Sequence, residues 1–230
     1  DTPAGPPAAI VEAMNRGVSL MGQYQYEPAA AAFQEALRAD PKLAEAKVNL
    51  PIALFNRNRK EDHALATASK LLDEVLAAAP DNLRALYFKG ILLQHFGKAE
   101  EGVRCFEQVV QQQPQDGAAW YMLGLCKERI GQPAEPELLK ALEHRPYLFS
   151  ACYKLFQIAS RQENDAKAKE YLAKFTALRE SPLGESIELP QYNQMGDLAL
   201  VQPLPATPTA RIGKSRYEPG PAQPLFDLPE

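Results

Sequence analysis

The chain has 230 residues, 46% of them hydrophobic, which is the composition of a globular protein with one sizeable domain and room for an appendage. Its formal charge is −4 and no stretch gathers Lys and Arg, so the electrostatic footprint of a nucleic-acid binder, or of a protein held on anionic lipid, is missing. The apolar runs around Leu76 and Leu139 are short and broken by charges, against the roughly 20 residues a membrane span needs, so no membrane insertion is expected.

Residues 1–6 are rich in Pro and Ala and read as an extended lead-in. They open on Asp1 without a Met, and the expectation is that an upstream segment was removed. From residue 7 onward, apolar helical runs are punctuated by Pro41, Pro80, Pro114, Pro146 and Pro182, at spacings of 39, 34, 32 and 36 residues. A period of this size decides the architecture, because each unit is then one supersecondary element stacked on the next. Small and aromatic residues recur at matched offsets: Ala29, Phe33 and Ala36 before Pro41, and Gly102, Phe106 and Val109 before Pro114. Gly17, Gly90 and Gly124 recur in the opening run of their units.

The units drawn are 7–41, 42–80, 81–114, 115–146 and 147–180, each a helix, a tight turn and a helix. Two short amphipathic helices cannot bury their apolar faces alone, so stacking is obligatory. Each proline is expected to end one unit's second helix and start the next unit's first, where a missing amide hydrogen costs nothing. In the second unit Pro51 falls in a helix interior, and five extra residues near Asn56 to Asp62 lengthen the turn. In the fourth, Pro133 and Pro136 shorten the second helix. After Pro182 the period stops. Residues 181–230 read as a Pro-rich tail or linker, eight prolines following residue 183.

These residues resemble the tetratricopeptide repeat. Trp120, Leu123 and Gly124 reproduce its opening W-x2-L-G, Gly17 and Gly90 take the same glycine position, and Gly97 and Gly131 fall at its inter-helix turn. The departures are Pro51 and Phe156 in place of the small Gly, and Lys127 in place of the family's Tyr. The resemblance implies an all-α, right-handed superhelical solenoid of about five hairpins whose first helices line a concave groove. Carried over position by position, the groove presents Val11, Met14, Val18 and Met21, then Val48, Ile52 and Phe55, then Tyr87, Ile91 and Gln94. Tyr121, Leu125 and Glu128 follow, then Tyr153, Gln157 and Ser160.

Tyr87, Tyr121 and Tyr153 share one position in three successive hairpins and read as a ladder of interface anchors, each a large apolar face with one hydrogen-bonding tip. Such a groove calls for a cover, because soluble monomers rarely expose more than a few hundred Å² of continuous apolar surface. The partner is expected to be a protein or peptide segment, or the chain's own tail through Ile187–Leu189, Leu198–Val201 and Leu225–Leu228. Family members that bind chaperone C-termini use a two-carboxylate clamp of Lys, Asn and Arg. Here the matching positions read Met14, Val18, Arg84 and Phe88, and only Asn49 and Arg84 fit it, so an apolar partner is expected. The run Gln191-Tyr192-Asn193-Gln194-Met195-Gly196 resembles the junction at which such repeats precede an FG-GAP β-propeller in exported bacterial proteins, which implies a module of a larger exported protein.

Motifs for chemistry are lacking, and neither enzyme activity nor a cofactor or metal is expected. Cys105, Cys126 and Cys152 are not spaced as zinc ligands or a disulfide framework and read as buried thiols. His63, His95 and His144 lie on separate units and read as surface or turn residues. Glu100 and Glu101 read as a solvated first helical turn. Gly213-Lys214-Ser215 resembles the end of a phosphate loop, but Pro208 stands where its first Gly must be.

Overall fold

A computed structural model of the chain describes residues 6–57, 62–189 and 191–205. The apolar stretch 225–228, Gly213-Lys214-Ser215 and most of the lengthened second turn lie outside the described residues. Ten helices occur among those described: α1 (Ala8–Gly22), α2 (Tyr26–Ala39), α3 (Ala44–Arg57), α4 (Asp62–Ala78), α5 (Leu83–His95), α6 (Ala99–Gln112), α7 (Gly117–Arg129), α8 (Glu135–His144), α9 (Phe149–Arg161) and α10 (Asp165–Glu180). Each packs on the helix before it and the helix after it, and α3, α5 and α7 also touch one another in succession. Paired antiparallel neighbours with alternate helices in register make a solenoid of five hairpins.

The turns repeat as closely as the helices. Within four hairpins the first helix ends on a residue of positive φ: Tyr24 (59°), Gly97 (78°), Gly131 (73°) and Glu163 (56°). Behind each, the next amide reaches back to the carbonyl five residues earlier, as in Gln25 to Leu20 (2.9 Å), Lys98 to Leu93 (2.8 Å), Gln132 to Lys127 (2.9 Å) and Asn164 to Ala159 (2.9 Å). This is the left-handed helix cap, which satisfies carbonyls that the helix end would leave bare. Tyr24 and Glu163 adopt it without a glycine's freedom.

Between hairpins the prolines do something other than begin a helix. Pro41, Pro80, Pro114 and Pro146 each sit second in a four-residue turn closed from Asp40 to Leu43 (3.2 Å), Ala79 to Asn82 (3.1 Å), Gln113 to Asp116 (3.0 Å) and Arg145 to Leu148 (3.1 Å). The fixed φ of proline suits that second position, so the next helix starts about three residues later than a first-turn proline would allow. Asn82 and Asp116 then cap α5 and α7, accepting from the amides of Ala85 (3.0 Å) and Ala119 (2.9 Å).

Inside a hairpin, a glycine on the first helix meets a large side chain on the second. A methyl group at Gly17 would lie 2.5 Å from the Phe33 ring, and one at Gly90 would lie 2.7 Å from Phe106. At Gly124 the neighbour is Leu138, 3.2 Å away. Phe33 and Phe106 are fully buried as a result. Helix α3 runs through Pro51 without interruption, and α8, with Pro136 in its first turn, is the shortest of the ten at 10 residues. Lys127, on α7, reaches Glu137 of α8 at 2.7 Å, and this largely buried ion pair occupies the seam where the repeat family carries a tyrosine.

Candidate partner-binding groove

The expected groove residues lie on the first helices of the hairpins, α1, α3, α5, α7 and α9. Met14, Val48, Ile52, Phe55, Tyr87, Ile91 and Tyr121 are all buried. Val18, Leu125 and Gln157 are half-buried. Tyr153 stands apart from the two other tyrosines: 40% exposed, it lays its ring 5.0 Å from Phe175 of α10 and 6.0 Å from Phe156.

Residues 185–204 of the same chain lie against these first helices. Just beyond α10, Glu185 pairs with the turn before α9, its amide donating to the Tyr147 carbonyl and its carbonyl accepting from Phe149, both at 2.9 Å. The Ile187 amide donates to Ser150 Oγ (3.2 Å), and Ile187 and Leu189 help wall a cavity of about 330 Å³ with Phe55, Met122 and Leu125. Two short 3₁₀ turns follow, Tyr192–Gln194 and Asp197–Ala199. The Tyr87 hydroxyl donates to the Met195 carbonyl (2.7 Å), and Asn56 Nδ2 faces the Met195 sulfur at 3.7 Å. Arg145 pairs with both Asp197 and Glu185.

Further along, Arg84 Nη2 donates to the Leu200 carbonyl (2.7 Å). The Asn49 amide holds both polar groups of one residue, donating to the Gln202 carbonyl (2.8 Å) and accepting from the Gln202 amide (3.1 Å). Asn15 Oδ1 accepts from the Leu204 amide (3.1 Å). The segment therefore crosses the hairpins in reverse order, from the fifth to the first. Its apolar side chains Ile187, Tyr192, Met195, Ala199, Val201 and Leu204 are each 7% exposed or less.

Burial sets the electrostatics here. It holds the Tyr87 phenol well above its ordinary range, so the hydroxyl stays a donor. It pulls the Arg84 guanidinium down to about 10, leaving the cation charged at neutral pH. A second Arg84 bond, to Asn49 Oδ1 at 2.8 Å, fixes which end of that amide faces which group of Gln202. Asn49 and Arg84 are visible in the sequence as two clamp-like residues. Asn15 is not singled out there, although it stands 34 residues before Asn49, one repeat period away on the equivalent helix face. Among the described residues no group of three His, Cys, Asp or Glu side chains could hold a metal, and no helix is long and apolar enough to cross a membrane.

A stack of antiparallel helical hairpins, each packed on its neighbours, defines an α-solenoid. Tetratricopeptide-repeat family models match residues 14–67 and 61–126, and the chain is a tetratricopeptide-repeat protein. Among solved structures it is similar to MamA residues 41-end from Desulfovibrio magneticus RS-1, at 23% identity and a TM-score of 0.67, over 76% of this chain and 98% of that one. It is also similar to a second MamA crystal structure at 17% identity and a TM-score of 0.62, over 75% of this chain and 92% of that one. These likenesses are of fold. Protein NPG1 of Arabidopsis thaliana is 29% identical over 86 residues, which is 37% of this chain and 12% of that protein's length.

Proposed function

We propose that the chain is a protein-interaction scaffold whose concave groove holds an extended polypeptide segment, and that its own residues 185–204 are the resident occupant. The observation that carries this reading is the convergence of Asn15, Asn49, Arg84 and Tyr87, from the first three hairpins, on main-chain atoms of one segment. Asn49 and Tyr87 are fully buried, polar groups so placed are costly unless paired, and here the segment supplies partners for them.

A second reading follows from the direction of the segment. Because it ties the fifth hairpin to the first, it acts as a strap that fixes the curvature, and the repeats serve as a rigid arm of a larger exported protein, as the resemblance at 191–196 implies. Site-specific photo-crosslinking tests the shared premise. With benzoylphenylalanine in place of Leu200, which is half-buried, packed against the core and next to Arg84, irradiation should link that position to α1, α3 or α5 of the same chain. Links only between chains, or to none of these helices, would remove both readings.

A further inference from the structure

We infer that the groove reads main chain more than side chain, and that it therefore accepts, in exchange for its resident strand, a segment of another polypeptide with a defined chemistry. That occupant is extended, carries glycine where Gly196 lies, and places aliphatic or small side chains in the register of Met195, Ala199, Val201 and Leu204. The inference rests on the proposed groove and adds what the groove selects.

The bonds to residues 200, 202 and 204 are of one kind. The Leu200 carbonyl, both polar groups of Gln202 and the Leu204 amide are all backbone, spaced two residues apart as on an extended chain, and the Gln202 side chain points into solvent. Asn49 imitates a neighbouring strand, offering a donor and an acceptor from a single amide, and Arg84 holds it in that orientation. Backbone bonds of this sort supply affinity for any sequence, while pockets for alternate side chains supply the selection.

Selection comes from two features. Val201 and Leu204 are 6% and 7% exposed, so those positions demand aliphatic side chains. At Gly196 a methyl group would come within 2.3 Å of the Tyr87 hydroxyl and 3.0 Å of Ala118 Cβ, so that position excludes every side chain. The glycine and the buried tyrosine act as a register pin: a segment without glycine there cannot seat the eight residues that follow, 197–204.

Because the resident strand is tethered, its effective concentration at the groove is high, and a free segment meets an occupied site. The test therefore uses the full chain carrying Gly196→Val, which unseats the resident strand, and a fluorescent synthetic peptide of residues 191–204 read by anisotropy. The Gly196→Val chain should bind this peptide at least about tenfold more tightly than the unsubstituted chain does. Methylating the peptide nitrogens of Gln202 and Leu204 should weaken binding about tenfold or more, whereas Gln202→Ala in the peptide should leave it unchanged.

If the methylated peptide binds as well as its parent, main-chain reading is wrong while the groove itself stands. If the Gly196→Val chain keeps its helical signal, exposes its amides over 191–204 and still takes up no peptide, the exchange is refuted. If the amides of 191–204 exchange freely in the unsubstituted chain, the proposed groove fails first. Should Gly196→Val lose its helices, the milder Gly196→Ala repeats the measurement.

Discussion

Gly196 has φ +92° and ψ 158°, a region open essentially to glycine alone, and it lies against the most deeply buried hydroxyl of the groove. Replacing it with alanine imposes two separate costs. Holding a non-glycine residue in that backbone region costs about 1–3 kcal/mol. The new methyl group would also start 2.3 Å from Tyr87 Oη, and Tyr87 is fully buried with its ring packed edge-on to Phe106 at 5.4 Å, so the ring has nowhere to retreat. Displacing the hydroxyl forfeits its bond to the Met195 carbonyl, worth about 1 kcal/mol net. Together these come to about 2–4 kcal/mol, all of it on the docking of the segment, because the five hairpins pack on one another through contacts that Gly196 does not make. Hydrogen exchange read by mass spectrometry resolves the effect. Amides of 191–204 should exchange about a hundredfold faster in Gly196→Ala, with those of α1 to α10 changed little. Unchanged protection over 191–204 would refute the reasoning. So would an equal loss across all ten helices, which would make the segment part of one cooperative unit and not a docked strap.

Three other perturbations follow from the fold. Truncating Lys127 to alanine leaves the largely buried Glu137 without its cation and should cost about 2–3 kcal/mol in urea unfolding, while Lys127→Met with Glu137→Leu should come within about 1 kcal/mol of the parent. Glu163→Gly relieves a left-handed φ of 56° at an exposed turn, and should raise stability by about 0.5–1 kcal/mol in the same assay. Burial pushes the Cys126 thiol up to about 12 and Cys105 up to about 11, so both should resist thiol reagents at neutral pH until the chain is unfolded. An acid whose folded pKa is raised gives stability that is whole below its unfolded value near 9 and is lost as pH rises through 11 and 12, so the urea midpoint should fall across that window, less steeply in Cys126→Ala.

Much of this architecture is legible in the chain because it is local. The proline period, the glycines facing Phe33, Phe106 and Leu138, and the turn glycines at 97 and 131 each act within one hairpin or across one junction, where sequence spacing and spatial neighbourhood coincide. The two left-handed turns at Tyr24 and Glu163 escape notice for the opposite reason: the register of the caps forces the conformation, and the residue type does not announce it. Pro41 and its equivalents are legible as boundaries, but whether proline opens a helix or sits second in a turn depends on where the preceding helix's last carbonyls are satisfied.

The groove divides in the same way. Repeat phase assigns Tyr87, Tyr121 and Tyr153 one position, and nothing in their spacing separates them, yet Tyr153 turns to Phe175 of its own hairpin's second helix. The apolar spacing of residues 187 to 204 is present in the chain as well. That Asn15, Asn49, Arg84 and Tyr87 meet the backbone of that segment is a matter of tertiary structure alone, since the bonds join residues 108 to 189 positions apart. Contacts at such range leave no periodic trace in a sequence, because they depend on how five stacked hairpins curve, and curvature accumulates from small rotations at every junction.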